Sequence, residues 1–361
     1  MIRLLIVEDS ALMRKLLGQI FTDEGDFEIE FARDGAEALK VISSFRPDVV
    51  TLDIHMPLVD GLACLDRIML DYPCPVVMVS SLTEEGAEET LAALEIGAVD
   101  FIAKPGGAIS LGIEDLAPRL VEKVRMAATV RIRRSRRLAE RVRMAHMAPQ
   151  PSPSRPFSRR DAADRLFRDP GKPGLVLIGA STGGPPALDA VLAKLPADFR
   201  FPVVVAQHMP ASFTGPLSRR LNKICALNVS EVKQQIKLEP GNVYIAKGDA
   251  DIVISSRAGA LVAMAAPSDP AYRWHPSVER MVRSAMKHVP AADLVGVLMT
   301  GMGSDGAAAM ADLHASGGYT IAESEDTAVV WGMPGELVRL QGASETTRVD
   351  DIGTSLLDRV S

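Results

Sequence analysis

Three short apolar runs, each broken off by a polar turn, constrain this chain more than any other feature. They are Leu175-Val176-Leu177-Ile178, Phe201-Pro202-Val203-Val204-Val205 and Asp293-Leu294-Val295-Gly296-Val297-Leu298-Met299. Runs of this length between turn residues predict buried parallel strands. Open α/β sheets place their sites beyond the carboxyl ends of such strands. The first run leads into Gly179-Ala180-Ser181-Thr182-Gly183-Gly184 and the second into Gln207-His208-Met209-Pro210. The third leads into Thr300-Gly301-Met302-Gly303-Ser304-Asp305-Gly306. One edge of the sheet is therefore expected to hold a serine, a histidine to serve as its base and an acid to orient that base.

The preceding third of the chain alternates in the same way. Strand-like runs at residues 3–7, 27–31, 48–52, 75–79 and 100–103 are separated by helical patterns, as in Leu12, Leu16, Leu17, Ile20 and Phe21 on one face. Five βα units predict a doubly wound parallel sheet. A helical pattern then runs from about 116 to 146 through Leu120, Val124, Ala128, Leu138 and Val142. Pro149, Pro151, Pro153 and Pro156, interleaved with serines, mark a semi-extended linker. At 361 residues the chain suits two domains. The expected division is an α/β domain over 1–122, a basic helix and linker over 123–173, and a second doubly wound α/β domain over 174–361.

Charge is uneven. Residues 123–168 hold 14 Lys/Arg against 3 Asp/Glu, a surplus of 11 that leaves the remainder of the chain at −17 within a net charge of −6. A run such as Arg131, Arg133, Arg134, Arg136 and Arg137 suits nucleic acid or an acidic partner. It lacks interleaved aromatic residues for base stacking, so a solvated helix and linker is the better reading, and no nucleic acid is expected. Cys64, Cys74 and Cys225 show no metal spacing and point to a reducing compartment. The first residues form a strand running into acids rather than an apolar leader, and no stretch approaches the ~20 apolar residues of a membrane span. A cytoplasmic protein without membrane insertion is expected.

In the N-terminal region five polar residues fall at strand ends. Glu8 and Asp9 follow the first strand, Asp53 the third, Ser80 the fourth and Lys104 the fifth. Clustered carboxylates repel unless a hard cation such as Mg²⁺ neutralises them. A lysine beside an aspartate in such a site suits phosphoryl transfer to the carboxylate. Residues 1–122 resemble a response-regulator receiver domain. The resemblance implies that Asp53, in Leu52-Asp53-Ile54-His55-Met56-Pro57, is the phosphoacceptor. It implies that Asp9, Glu8, Asp53 and the backbone carbonyl of His55 bind Mg²⁺, that Ser80 and Lys104 contact the phosphoryl group, and that Phe101 is the aromatic switch. Glu8-Asp9 stands where many receivers have two aspartates.

Gly179-Ala180-Ser181-Thr182-Gly183 fits a nucleophile elbow of strand, sharp turn and helix. A phosphate-cradling loop is the competing reading, but no lysine follows to serve a nucleotide triphosphatase. Of six histidines, His55 lies in the first domain, His146 in the linker, and His288 and His314 in helical patterns. His275, in Arg273-Trp274-His275-Pro276-Ser277, is a possible substrate contact. Only His208 directly follows a buried strand of the catalytic sheet, which makes it the candidate base. Asp305 is its orienter and also suits the N-cap of a helix starting near Gly306.

The order Ser181, His208, Asp305 differs from that of α/β-hydrolases. The three segments, with His275-Pro276-Ser277-Val278 and Val330-Trp331-Gly332-Met333-Pro334, resemble the catalytic domain of chemotaxis protein-glutamate methylesterases, the CheB family, over residues 174–355. The resemblance implies that Ser181 is the nucleophile, His208 the base and Asp305 its orienter, with the Met302 amide as oxyanion donor and Thr182 in support. It implies hydrolysis of glutamate methyl esters, and deamidation of glutamine, on chemoreceptor cytoplasmic domains. A chemotaxis histidine kinase would be the phosphodonor, and the esterase chemistry would need no cofactor. The alternative is a receiver-gated adaptor whose second domain has lost catalysis and whose basic segment is the working surface.

Overall fold

The computed structural model describes residues 1–104, 109–130 and 174–360. The Arg-rich and Pro/Ser-rich stretch expected as a linker lies, beyond Val130, outside the described residues, as does His146. Strands β1 (Ile2–Val7), β2 (Phe27–Ala32), β3 (Val49–Asp53), β4 (Val76–Ser80) and β5 (Asp100–Ala103) form a parallel sheet in the order β2-β1-β3-β4-β5. Every residue of β3 and β4 is buried, as a central strand covered on both faces requires.

Helices α1 (Ala11–Glu24), α2 (Gly35–Phe45), α3 (Gly61–Asp71), α4 (Glu84–Ile96) and α5 (Ile109–Thr129) make the crossovers. Ser10, Asp34, Asp60 and Thr83 cap the first four, each side chain accepting from the backbone N–H three residues on. Such caps satisfy donors that the first helical turn leaves free.

A second sheet has seven strands, all parallel: β6 (Leu175–Ala180), β7 (Val203–Gln207), β8 (Asn228–Val232), β10 (Asn242–Ala246), β13 (Leu294–Leu298), β14 (Tyr319–Glu323) and β15 (Glu345–Thr347). Their order is β15-β14-β13-β6-β7-β10-β8. Helices α6 (Gly184–Leu192), α7 (Ala211–Ile224), α8 (Val278–Met286), α9 (Ala307–Ala315), α10 (Met333–Arg339) and α11 (Val349–Val360) accompany it. The chain moves outward from β6 through β7 and returns to the other side of β6 at β13. That reversal opens a crevice above β6 and β13, where doubly wound sheets bind ligands. In the first sheet the same reversal falls between β1 and β3.

The sequence pattern did not announce a third sheet. Strands β9 (Ile236–Lys237), β11 (Ala250–Arg257) and β12 (Ala260–Pro267) pair antiparallel in the order β11-β12-β9. Ala258 (φ 49°) and Gly259 (φ 78°) make the two-residue turn between β11 and β12. Positive φ at both positions matches the twist of a hairpin.

One apolar cluster runs through both α/β units, from Leu91, Leu94 and Phe101 to Phe213 and Leu217. Helix α4 packs on α7, and Phe101 stacks on Phe213 with centroids 4.4 Å apart. Among the described residues no helix is long and apolar enough to cross a membrane.

Candidate active site

Strand register brings the serine and histidine together. Ala180 pairs with Gln207 across β6 and β7, so Ser181 and His208 leave neighbouring strands side by side. The His208 amide donates to Ala180 O at 3.0 Å, and the Ser181 amide to Thr300 O at 2.9 Å. Glycines make the close approach feasible. Gly183 turns at φ +76°, and a Cβ on Gly184 would lie 1.9 Å from Gln207 Oε1. A Cβ on Gly301 would lie 2.7 Å from Ser181 Cβ, so only glycine lets the loop after β13 reach the serine.

His208 Nε2 lies 2.8 Å from Asp305 Oδ2, with both side chains 7% exposed. Asp305 also accepts from Val278 N (2.7 Å), Glu279 N (3.1 Å) and Ser277 Oγ (3.1 Å). It therefore caps α8, not the helix that follows it. The N-cap of α9 is Gly306, with no side-chain bond. These donors hold the carboxylate in one orientation before it meets the imidazole. Among the described residues His208 Nδ1 is buried with no hydrogen-bond partner. The Ser181 hydroxyl makes no hydrogen bond to it in this arrangement, although the two residues are neighbours.

The turn after β13 is held from behind. Glu323 at the end of β14 is buried, and its Oε2 accepts the Thr300 amide at 2.8 Å. Thr300 Oγ1 donates to Thr182 O at 2.9 Å. Two residues on, Met302 is 8% exposed and its amide has no acceptor among the described residues.

Two features of this site were not legible in the pattern. The Trp274 indole stacks on the His208 imidazole, with centroids 5.6 Å apart and planes 12° apart. His275, a possible substrate contact by sequence, instead places Nδ1 2.9 Å from Asp251 Oδ1. Burial pushes the Asp251 carboxyl up. The bonds from His275, Ser277, Arg280 and Asp269 outweigh it and hold the group below its ordinary value. His288 ends α8 through a backbone bond to Ala285, and His314 Nδ1 meets Ser344 Oγ at 3.0 Å.

The acids of the first sheet gather at its switch point. Glu8, Asp9 and Asp53 offer oxygens within 4.8 Å of one another. Lys104 Nζ lies 2.8 Å from Asp53 Oδ2 and 3.0 Å from Glu8 Oε2. Burial and the neighbouring Asp53 charge push the Glu8 carboxyl up, though Lys104 pulls the other way. Burial lowers Lys104, but its bonds to Asp53 and Glu8 prevail and raise it. Three carboxylates with oxygens gathered within 4.8 Å are the hard donors that suit a hard cation with oxygen ligands.

Of the other residues expected here, Ser80, Phe101 and the His55 side chain make their contacts outside that cluster. The Ser80 hydroxyl is turned inward, donating to Gly86 O at 3.1 Å and accepting from Thr90 at 2.7 Å. The His55 side chain meets Glu89 at 3.0 Å. Phe101 is buried against Phe213, with Lys123 Nζ 5.4 Å from its ring centroid.

The face carrying α4, β5 and α5 lies against the serine crevice. The Thr182 hydroxyl donates to Asp100, which Lys123 also holds at 2.8 Å. Arg220 Nε meets Glu95 at 2.6 Å, Arg219 meets Glu88 at 3.3 Å, and Arg273 meets Glu122 at 2.8 Å.

Known proteins share both halves. Residues 4–112 match the response regulator receiver domain family, and residues 176–356 match the CheB methylesterase family. A protein-glutamate methylesterase/protein-glutamine glutaminase of Rhodopseudomonas palustris is 55% identical over 358 residues, covering 99% of this chain and 98% of that protein. A similarly named protein of Rhodospirillum rubrum is 53% identical, over 95% of this chain and 92% of its own. The CheB methylesterase catalytic domain of Thermotoga maritima, a crystal structure, superposes with a TM-score of 0.50 at 34% identity, covering 52% of this chain and 98% of that one. With its parallel sheets, its receiver half and near full-length similarity to these enzymes, this chain belongs to the CheB family of methylesterases.

Proposed function

We propose that the protein is a phosphorylation-activated protein-glutamate methylesterase and protein-glutamine glutaminase acting on chemoreceptor cytoplasmic domains. Residues 174–361 form the catalytic domain and residues 1–122 the switch, joined by the basic segment 123–173. The observation that carries the reading is the His208–Asp305 pair, which leaves a buried Nδ1, without a partner among the described residues, on the strand end next to that of Ser181.

In the reaction, Ser181 Oγ attacks the carbonyl carbon of a glutamate γ-methyl ester while His208 Nδ1 takes its proton. Asp305 holds the ring and offsets the imidazolium charge. The unpaired Met302 amide stabilises the oxyanion, and Thr182 supports the turn. The tetrahedral intermediate collapses, His208 returns the proton, and methanol leaves. Water, deprotonated by the same nitrogen, cleaves the acyl-enzyme to glutamate and regenerates Ser181. A glutamine side chain follows the same course with ammonia leaving.

Asp53 is the phosphoacceptor, with a chemotaxis histidine kinase as phosphodonor in the cytoplasm. Glu8, Asp9, Asp53 and the His55 carbonyl would hold Mg²⁺, which offsets charge on the entering phosphoryl group when bound. Lys104 pairs with that group, and Ser80 turns from Gly86 toward it. Phe101 stacks on Phe213 and Asp100 holds Thr182 in the resting arrangement, so rearrangement of β5 would release the crevice.

The test is methanol release from methylated chemoreceptor, with and without acetyl phosphate and Mg²⁺. Release should rise with the phosphodonor in the wild type, stay at the basal level in Asp53→Asn, and vanish in Ser181→Ala. Activity surviving Ser181→Ala would sink the catalytic assignment. Activation surviving Asp53→Asn would sink the switch.

A further inference from the structure

We propose that Trp274 is a positioning residue for the catalytic base: its indole lies on the face of the His208 imidazole and sets the ring's twist. The proposal rests on His208 being the base.

One bond to Asp305 holds the imidazole, through Nε2. Held by its own Cβ–Cγ bond and this one hydrogen bond, the ring can still twist about Cβ–Cγ. Among the described residues Nδ1 has no partner that would stop it. The parallel indole, 12° from the imidazole plane, blocks that twist on one face. Offset stacks at such centroid separations are attractive. A π face also favours the imidazolium formed when Nδ1 takes the serine proton.

The indole is itself held in place. Its segment leaves and re-enters the fold at one buried carboxylate, because Asp251 accepts from Asp269 N at 3.1 Å and bonds His275 Nδ1 at 2.9 Å. The Arg273 guanidinium lies 4.8 Å from the indole centroid and 2.8 Å from Glu122 on α5. A Cβ on Gly303, in the turn after β13, would lie 3.4 Å from Trp274 Nε1. Trp274 thus lies against both the base and the turn that carries Met302.

The test uses the full chain, activated with acetyl phosphate, in three forms: wild type, Trp274→Leu and Trp274→Phe. Leucine fills space without a flat face, whereas phenylalanine keeps one. Trp274→Leu should lower kcat about tenfold, near 1.4 kcal/mol, with KM within about twofold. Trp274→Phe should recover most of the loss. An independent readout is the NMR signal of the His208 ring protons, identified by their disappearance in His208→Ala. Ring current should place them upfield in the wild type and Trp274→Phe, and downfield of that position in Trp274→Leu. Wild-type kcat in Trp274→Leu, or ring protons that do not move, overturns the proposal. These outcomes stay distinct from failure of the serine assignment, because the NMR readout needs no turnover and Ser181→Ala tests the nucleophile alone.

Discussion

Glu323 couples the stability of the catalytic domain to pH. Its side chain is 1% exposed at the end of β14, and burial pushes its carboxyl up to about 7 from an ordinary 4.5. The Thr300 amide and Thr327 pull it down, and Asp350 adds a smaller push upward. The folded state therefore keeps a proton that the unfolded chain gives up near pH 4.5. Stability from this group is fully present below pH 4.5 and is lost as pH rises through about 7. A difference of about 2.5 pH units at 1.36 kcal/mol each is about 3 kcal/mol. Glu323→Gln keeps an oxygen for the Thr300 amide but does not titrate. Relative to wild type it should gain about 2.5 kcal/mol between pH 5 and pH 8, since part of the shift is already spent by pH 5. The assay is urea unfolding followed by tryptophan fluorescence. Both tryptophans, Trp274 and Trp331, lie in the catalytic domain, so the signal reports that domain. Parallel stability curves for the two proteins across this window would refute the reasoning.

Three other perturbations read the site directly. Asp305→Asn should cut kcat by about 10⁴, by analogy with loss of the orienting acid in a serine triad, and should also lower the melting temperature, because the amide keeps one acceptor where the carboxylate takes Val278 N on one oxygen and Glu279 N on the other. Phe213→Leu keeps apolar burial at the domain contact but removes the stack on Phe101. It should cost less than about 1.5 kcal/mol and raise methanol release without phosphodonor; an unchanged basal rate would argue against resting closure. Gly301→Ala puts a methyl group 2.4 Å from Met333 Sδ and 2.7 Å from Ser181 Cβ, and should cost about 1–3 kcal/mol in urea unfolding together with a fall in kcat.

Strand ends were the most legible part of the chain. The run at 100–103 is β5 to the residue, and the runs before Ser181 and His208 became β6 and β7 with shifts of only two residues at their ends. Period and turn chemistry are local, so a sequence displays them directly. The β11–β12 hairpin was not read from the sequence, because Ile252-Val253-Ile254 is a short apolar run without alternation. Its role was harder to see, since Asp251 acts by gathering His275, Ser277 and Arg280 from a distant loop and helix.

By itself the sequence determined two α/β units, the position of each chemical group at a strand end and the glycines that let turns close there. Those properties follow from hydrophobic period and backbone sterics within a few residues. Only the tertiary structure decided which donors restrain Asp305, that Ser80 is turned away from Asp53, that Trp274 covers His208 and that Asp100 meets Thr182. Those contacts join residues from 6 to 82 positions apart. Their formation depends on how helices and sheets pack, and no local pattern encodes that.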